Sequence, residues 1–397
     1  MPACPLALGR GIALGAFLRV LVFGAVVVNA ADGKTVRLFQ LGQSYRTPLE
    51  FLRPMAEARG HTLDAQSRIV AGAPVFWYYK HFQNETDLGK GIAERLRTRT
   101  FDVLALVPLS PHDSGENERS VAGARTFYKL ALEQNPDLEC YISNRWPGRG
   151  EPDKAAWMKE EMPGFELLAE KVTKAVSPSG KQVWVIPRAQ AMMDFLERVE
   201  TGQVPGFDDL SSVYNDGGHP GTPSCYIFAC MEHSFIFRES PLGLPAVMPG
   251  RTDLPIAYTP EQAEAMQRLA WFHMLNCPLS GVDPIRDETP PGPVAHVRAE
   301  AAGSDRVKIR WDRAEDAESG VFEYVIDRSD GKTYRSLLPF ITDRRVDEGV
   351  GYGYTVRAVN FARKEGPGSA TATISVPADR TPPALSSASA TDEHTIL

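Results

Sequence analysis

The chain has 397 residues, 43% of them hydrophobic and 23% charged, with a formal net charge of −7. This length points to two or three domains, with enough apolar content for sizeable cores. The acidic balance argues against a nucleic-acid partner, which needs a basic patch. Beyond the N-terminus, no stretch is apolar for the roughly 18 residues that a membrane span requires.

At the N-terminus, Arg10 and Arg19 flank and precede the apolar run Val20–Val28, and Val28-Asn29-Ala30 fits a small-residue cleavage site. Residues 1–30 read as a secretory signal peptide cut after Ala30, which implies a secreted, periplasmic or cell-surface protein. An uncleaved anchor is the alternative, but Arg19 leaves the apolar run short for a span. Cys140, Cys225, Cys230 and Cys277 remain in the mature chain. Four cysteines in an exported protein permit two disulfides, in any of three connectivities; buried thiols are the other option. No CxxC or His-rich spacing suggests a zinc site.

Val36–Leu41 is nearly all apolar, as expected for a parallel strand covered on both faces. It closes on Gly42-Gln43-Ser44, and Pro48 opens a helix that ends near Gly60. Thr62–Val70 forms a second strand before Ala71-Gly72-Ala73. The aromatic run Phe76-Trp77-Tyr78-Tyr79 suits either a cleft lining or a packing cluster. A helix around Ile92–Leu96 leads to the strand Asp102–Val107. The polar loop after it carries His112-Asp113, which fits no complete triad and reads as surface. A helix over Ala124–Gln134 and a strand over Leu138–Ser143 follow, and Asn144-Arg145-Trp146-Pro147 ends that strand. Lys154–Val176 is helical with an expected break at Pro163-Gly164. Gln182–Ile186 is the fifth strand and Ala189–Glu200 its helix. Pro220 favours the first turn of an apolar helix running through Cys225 to Phe237, and Thr259–Leu275 is the last helix. Strands alternating with helices at this spacing predict βαβ units and a parallel sheet. The α/β domain spans residues 31–286 in this reading.

Residues 287–293, Asp-Glu-Thr-Pro-Pro-Gly-Pro, form a linker. Beyond it the helical period gives way to alternating segments: Val294–Ala299, Arg306–Trp311, Phe322–Ile326, Tyr352–Val359 and Thr371–Val376. Short alternating strands predict a small β-sandwich. The proline-rich entry, the Trp311 strand and Tyr354–Asn360 resemble a fibronectin type III domain over residues 294–378. Residues 379–397 read as a tail or the start of an incomplete further β-module.

Two stretches carry chemistry. Ser44 stands at the carboxyl end of the first strand, where open α/β sheets bind their ligands; as a plain helix cap it needs no function. In Asp216-Gly217-Gly218-His219 the carboxylate can reach one imidazole nitrogen while the other faces outward. A serine nucleophile requires that arrangement, because its hydroxyl is too weakly acidic to attack alone. His233, on an apolar helix, reads as a packed core histidine, and His81 as a remote candidate.

Gly42-Gln43-Ser44 together with Asp216-Gly217-Gly218-His219 resembles the SGNH hydrolases, also called the GDSL family, over roughly residues 36–240. The resemblance implies Ser44 as nucleophile, Asp216 and His219 as its partners, and Gly72 as a backbone N–H donor to the oxyanion. It implies a flavodoxin-like three-layer α/β/α sandwich with a parallel sheet, alongside the C-terminal all-β sandwich. It also implies ester hydrolysis on a small-molecule or polysaccharide ester, with no metal or organic cofactor. Gln43 replaces the usual aspartate of the first block, which removes no catalytic group. The family's Gly-x-Asn-Asp block is absent, with Val107-Pro108-Leu109-Ser110 in its place, and Asn144 follows a different strand. One missing oxyanion donor costs on the order of 10²–10³ in rate. The alternative expectation is therefore a non-catalytic SGNH-like protein that binds a glycan or surface partner through the same crevice. A third makes the chain an adhesion piece that works through its C-terminal modules.

Overall fold

The computed structural model of the chain describes residues 33–108, 116–176, 180–249 and 255–379. The signal-peptide reading, the His112-Asp113 loop and most of the C-terminal tail lie outside them. Among the described residues, no helix is long and apolar enough to cross a membrane.

Five parallel strands form the central sheet: β1 (Thr35–Gly42), β2 (Thr62–Ile69), β3 (Val103–Leu106), β4 (Glu139–Ser143) and β5 (Val183–Ile186). Their order is β2-β1-β3-β4-β5, the flavodoxin-like doubly wound arrangement. One helical layer holds α2 (Val75–Gln83), α3 (Asp87–Thr98), α4 (Glu116–Leu132) and α5 (Lys154–Val176). The other holds α1 (Leu49–Ala58), α6 (Arg188–Glu200), α7 (Thr222–Phe237) and α8 (Pro260–Leu275). Because both faces of the sheet are covered, all four residues of β3 are buried, as its unbroken apolar sequence requires. The order reverses direction between β1 and β3, and that is where a crevice opens at the strand ends.

Several local expectations change. The helix α5 runs through Pro163 without a break. Its buried residues include Met162, Gly164, Phe165 and Leu168, and packing on both sides of the proline offsets the lost backbone bond. The α7 helix starts at Thr222, and Pro220 instead bridges back to Tyr214 in the preceding turn. The aromatic run is a helix and a packing cluster. Tyr78 is buried, and its hydroxyl donates to the Gly42 carbonyl at 2.7 Å, while Trp77 packs on His81. No disulfide joins the four cysteines. Cys140 and Cys230 are buried in the core, and burial raises both thiol pKa values.

The C-terminal part is a two-sheet antiparallel sandwich. One sheet is β11 (Thr333–Ser336), β10 (Val321–Arg328), β13 (Gly351–Asn360) and β14 (Ala372–Ser375); the other is β12 (Phe340–Asp343), β9 (Val307–Arg310) and β8 (Arg298–Ala301). Between α7 and α8 a two-residue pair, β6 (Val247–Met248) and β7 (Ile256–Ala257), lies against α1. The strands β11 and β12 are two more than the five alternating segments read from the sequence. Buried Trp311 packs edge-on to Tyr324 within the sandwich. The two units share apolar core. Phe322, Leu337, Leu338 and Phe361 belong to the α/β cluster, and Phe322 stacks on Phe272 of α8 with ring centroids 3.9 Å apart. A buried ion pair, Arg198 to Glu323 at 2.7 Å, crosses the same seam.

Candidate active site

The site begins with Gly42, the last residue of β1. A Cβ there would lie 2.5 Å from Val107 Cβ, so only glycine lets β1 approach the end of β3 this closely. Gln43 turns inward and donates to the Pro108 carbonyl at 3.3 Å. Ser44 then faces solvent at the top of the sheet. The turn closes with Arg46 N–H donating to the Gln43 carbonyl at 3.2 Å.

The Asp216–His219 turn meets it from the other side. An antiparallel bridge joins Tyr214 and Pro220 at its base, and Asn215 N–H donates to the His219 carbonyl at 2.9 Å. At its tip, Asp216 Oδ1 accepts the Gly218 and His219 amides, both at 2.8 Å. Its Oδ2 lies 2.8 Å from His219 Nδ1, and His219 Nε2 lies 2.9 Å from Ser44 Oγ. Those amide bonds, and then the imidazole, hold the Asp216 carboxyl down at about 2. The aspartate is therefore ionised throughout the neutral range and accepts from Nδ1–H, which leaves Nε2 as the acceptor facing the serine. Ser44, Asp216 and His219 thus come together from sequence positions more than 170 residues apart.

Two aromatic residues that the sequence reading had not tied to the site hold the turns together. The Tyr45 ring packs between His219, at 5.0 Å, and Trp146, at 5.3 Å. The Trp146 indole N–H donates to the Gly218 carbonyl at 3.0 Å. Tyr45 directly follows Ser44 and Trp146 lies within the strand-end stretch Asn144–Pro147, a positional signal in the sequence. Their contacts, however, have no such signal.

Gly72 lies in the exposed turn after β2 with φ +68°, a conformation that favours glycine. It is not among the residues lining the groove at Ser44. Neither its amide nor that of Ser44 donates to a protein acceptor among the described residues. Asn144 is buried elsewhere. Its Oδ1 accepts the Ala189 amide at 2.9 Å and its Nδ2 donates to Gln190 at 2.8 Å, so it caps α6. His233 is buried and paired with Glu239 at 2.7 Å, and His81 bonds Thr86 at the end of α2.

The triad opens into a groove of about 540 Å³. Phe51, Ile69 and Ile256 give it apolar surface, and Arg46, Glu50 and Thr222 give it polar surface. Among the described residues, no group of three or more His, Cys, Asp or Glu side chains could hold a metal ion.

No family model matches this sequence, and no curated protein matches it. Solved structures do. A DUF4886 family protein from Bacteroides uniformis is 16% identical, with 61% of this chain and 95% of that chain covered, at a TM-score of 0.44. A protein described as "a putative SGNH hydrolase from Slackia heliotrinireducens" is 17% identical, with 50% and 98% covered, at a TM-score of 0.34. The sixth fibronectin type III domain of human fibronectin type III domain containing protein 3 is 15% identical, with 24% and 95% covered, at a TM-score of 0.22. The fold assignment rests on the strand order and layers of the chain itself.

Proposed function

We infer that the protein is an exported serine hydrolase that cleaves an ester, of a carbohydrate or another small acyl compound, through Ser44, His219 and Asp216. The observation that carries this reading is the unbroken chain of contacts from Ser44 Oγ to His219 at 2.9 Å and from His219 to Asp216 at 2.8 Å. His219 Nε2 takes the proton as Ser44 Oγ attacks the ester carbonyl. The C–O bond to the alcohol then breaks, with His219 returning the proton to the leaving oxygen. Water, deprotonated by His219 in turn, attacks the acyl-enzyme and releases the acid and free Ser44. Asp216 orients the ring and stabilises the imidazolium in both halves. The Ser44 amide, which donates to no protein acceptor among the described residues, is the proposed oxyanion donor; the Gly72 amide, outside the groove lining, would join it only with a movement of the turn after β2 toward Ser44.

One observation favours a second reading, a non-catalytic binder. Asn144 is committed to α6 and is not free to serve the oxyanion. Hydrolysis of short p-nitrophenyl esters by the wild type and by Ser44→Ala separates the two. The hydrolase reading expects a rate that is lost in Ser44→Ala, together with a fluorophosphonate adduct on Ser44. Equal rates and no adduct would leave the binder.

A further inference from the structure

Beneath the Ser44 turn lies a polar cluster that the acyl transfer does not use. Arg188, the first residue of α6, and Glu232, on α7, are each 1% exposed, with 4.0 Å between Nη1 and Oε1. Burying two charges is costly, and a well-packed apolar pair in their place is often as stable or more so. Stability alone therefore does not explain them.

What they hold is the backbone after Ser44. Arg188 Nη1 donates to the Tyr45 carbonyl at 2.8 Å and reaches Thr47 Oγ1 at 3.5 Å. Thr47 Oγ1 donates to Glu232 Oε1 at 2.6 Å. Gln40, inside β1, donates to the Thr47 carbonyl at 3.4 Å and reaches Glu232 Oε2 at 3.5 Å. The same guanidinium lies over the Trp146 and Phe228 rings, at 5.5 and 5.2 Å. Trp146 is the residue that bonds the Gly218 carbonyl in the histidine's turn. One buried cation thus touches a group bound to each half of the site. Charge-assisted bonds in a dry environment are short and directional. Burial pulls Arg188 down and Glu232 up, and each is opposed by the other's charge; buried Tyr141 also faces the pair.

We propose that Arg188 and Glu232, acting through the Tyr45 carbonyl and Thr47, are positioning residues that fix the Ser44 turn against the His219 turn. The proposal rests on the hydrolase reading above. Such control is plausible in size, because a displacement of about 1 Å at a reacting group can lower a rate on the order of 10²-fold.

The test uses the full mature chain, with Ser44→Ala, Arg188→Met, Thr47→Val and Thr47→Ser. It reads kcat and KM on p-nitrophenyl acetate, fluorophosphonate titration of competent sites, and a thermal melt. Arg188→Met and Thr47→Val are expected to lose on the order of 10²-fold in kcat per titrated site with KM unchanged. Thr47→Ser, which keeps the hydroxyl, is expected to retain wild-type kcat. If Arg188→Met does not fold, the two Thr47 variants carry the test. A folded Thr47→Val with wild-type kcat per site overturns the proposal. So does a Thr47→Ser as impaired as Thr47→Val, since packing of the methyl would then be the cause. If the wild type is no faster than Ser44→Ala, the hydrolase reading falls and takes the proposal with it. An active wild type beside an equally active Thr47→Val removes the proposal alone.

Discussion

Gly218→Ala is the sharpest single test of the site's geometry. The added Cβ would lie 2.7 Å from the Tyr45 hydroxyl oxygen. Ordinary contact is about 3.5 Å, so something must move by roughly 0.8 Å. Tyr45 cannot swing freely, because its ring is held between Trp146 and His219. The Gly218 carbonyl is itself held by the Trp146 indole. Either turn that yields lengthens the 2.9 Å contact between His219 and Ser44 beyond hydrogen-bond reach. Overpacking of this kind costs about 1–3 kcal/mol, and the misplacement should lower kcat/KM by about 10- to 100-fold. Backbone strain does not confound the test, because Gly218 has no positive φ. Tyr45→Phe removes the clashing oxygen, and the Gly218→Ala/Tyr45→Phe double variant should recover most of the loss in a double-mutant cycle. Gly217→Ala is the control, since a Cβ there meets open space. The assay is p-nitrophenyl ester hydrolysis with the thermal midpoint recorded alongside. Full activity in Gly218→Ala, or additive losses in the double variant, would refute the argument.

Five further outcomes follow from the same structure. The low pKa of Asp216, about 2, makes its contribution to the turn present above the unfolded carboxyl value near 4 and lost only as pH falls through about 2. Asp216 should therefore contribute no ionisation to the acid limb of kcat/KM above pH 4, and a limb of slope two in that range would contradict this. Asp216→Asn should lose activity by up to about 10⁴-fold through the wrong histidine tautomer, with Ser44 still present for labelling assays. Trp146→Phe keeps the ring packing but removes the donor to the Gly218 carbonyl; a loss of about 1–3 kcal/mol in urea unfolding is expected, and an unchanged midpoint would count against it. Glu323→Ala strips buried Arg198 of one of its two carboxylates and should cost about 3 kcal/mol, read as a lower urea midpoint. Deleting residues 290–397 should destabilise the α/β unit as well, because Phe322 and Phe361 are part of its core.

The sequence by itself determined much of the α/β architecture. Runs such as Val103–Leu106 are apolar at every position, which suits a strand buried on both faces, and their spacing leaves room for helical crossovers between them. The turns that carry Ser44, Asp216 and His219 were also legible, because each sits in a short motif whose glycines and prolines force a turn, and the structure adds the contacts between them. Tertiary structure decided what no local pattern encodes. The strand order β2-β1-β3-β4-β5 depends on which strand edges pair, and periodicity says nothing about pairing. Pro163 reads locally as a break, yet packing along α5 keeps the helix whole. Asn144 follows a strand other than the one expected to carry the donor, and only the approach of α6 shows what it does instead, which is to accept the Ala189 amide. Arg188 and Glu232 lie 44 residues apart in an ordinary helix start and an apolar helix, and nothing in either stretch points to the other. The meaning of such buried charges lies in what they face, and that is fixed only when the chain closes around them.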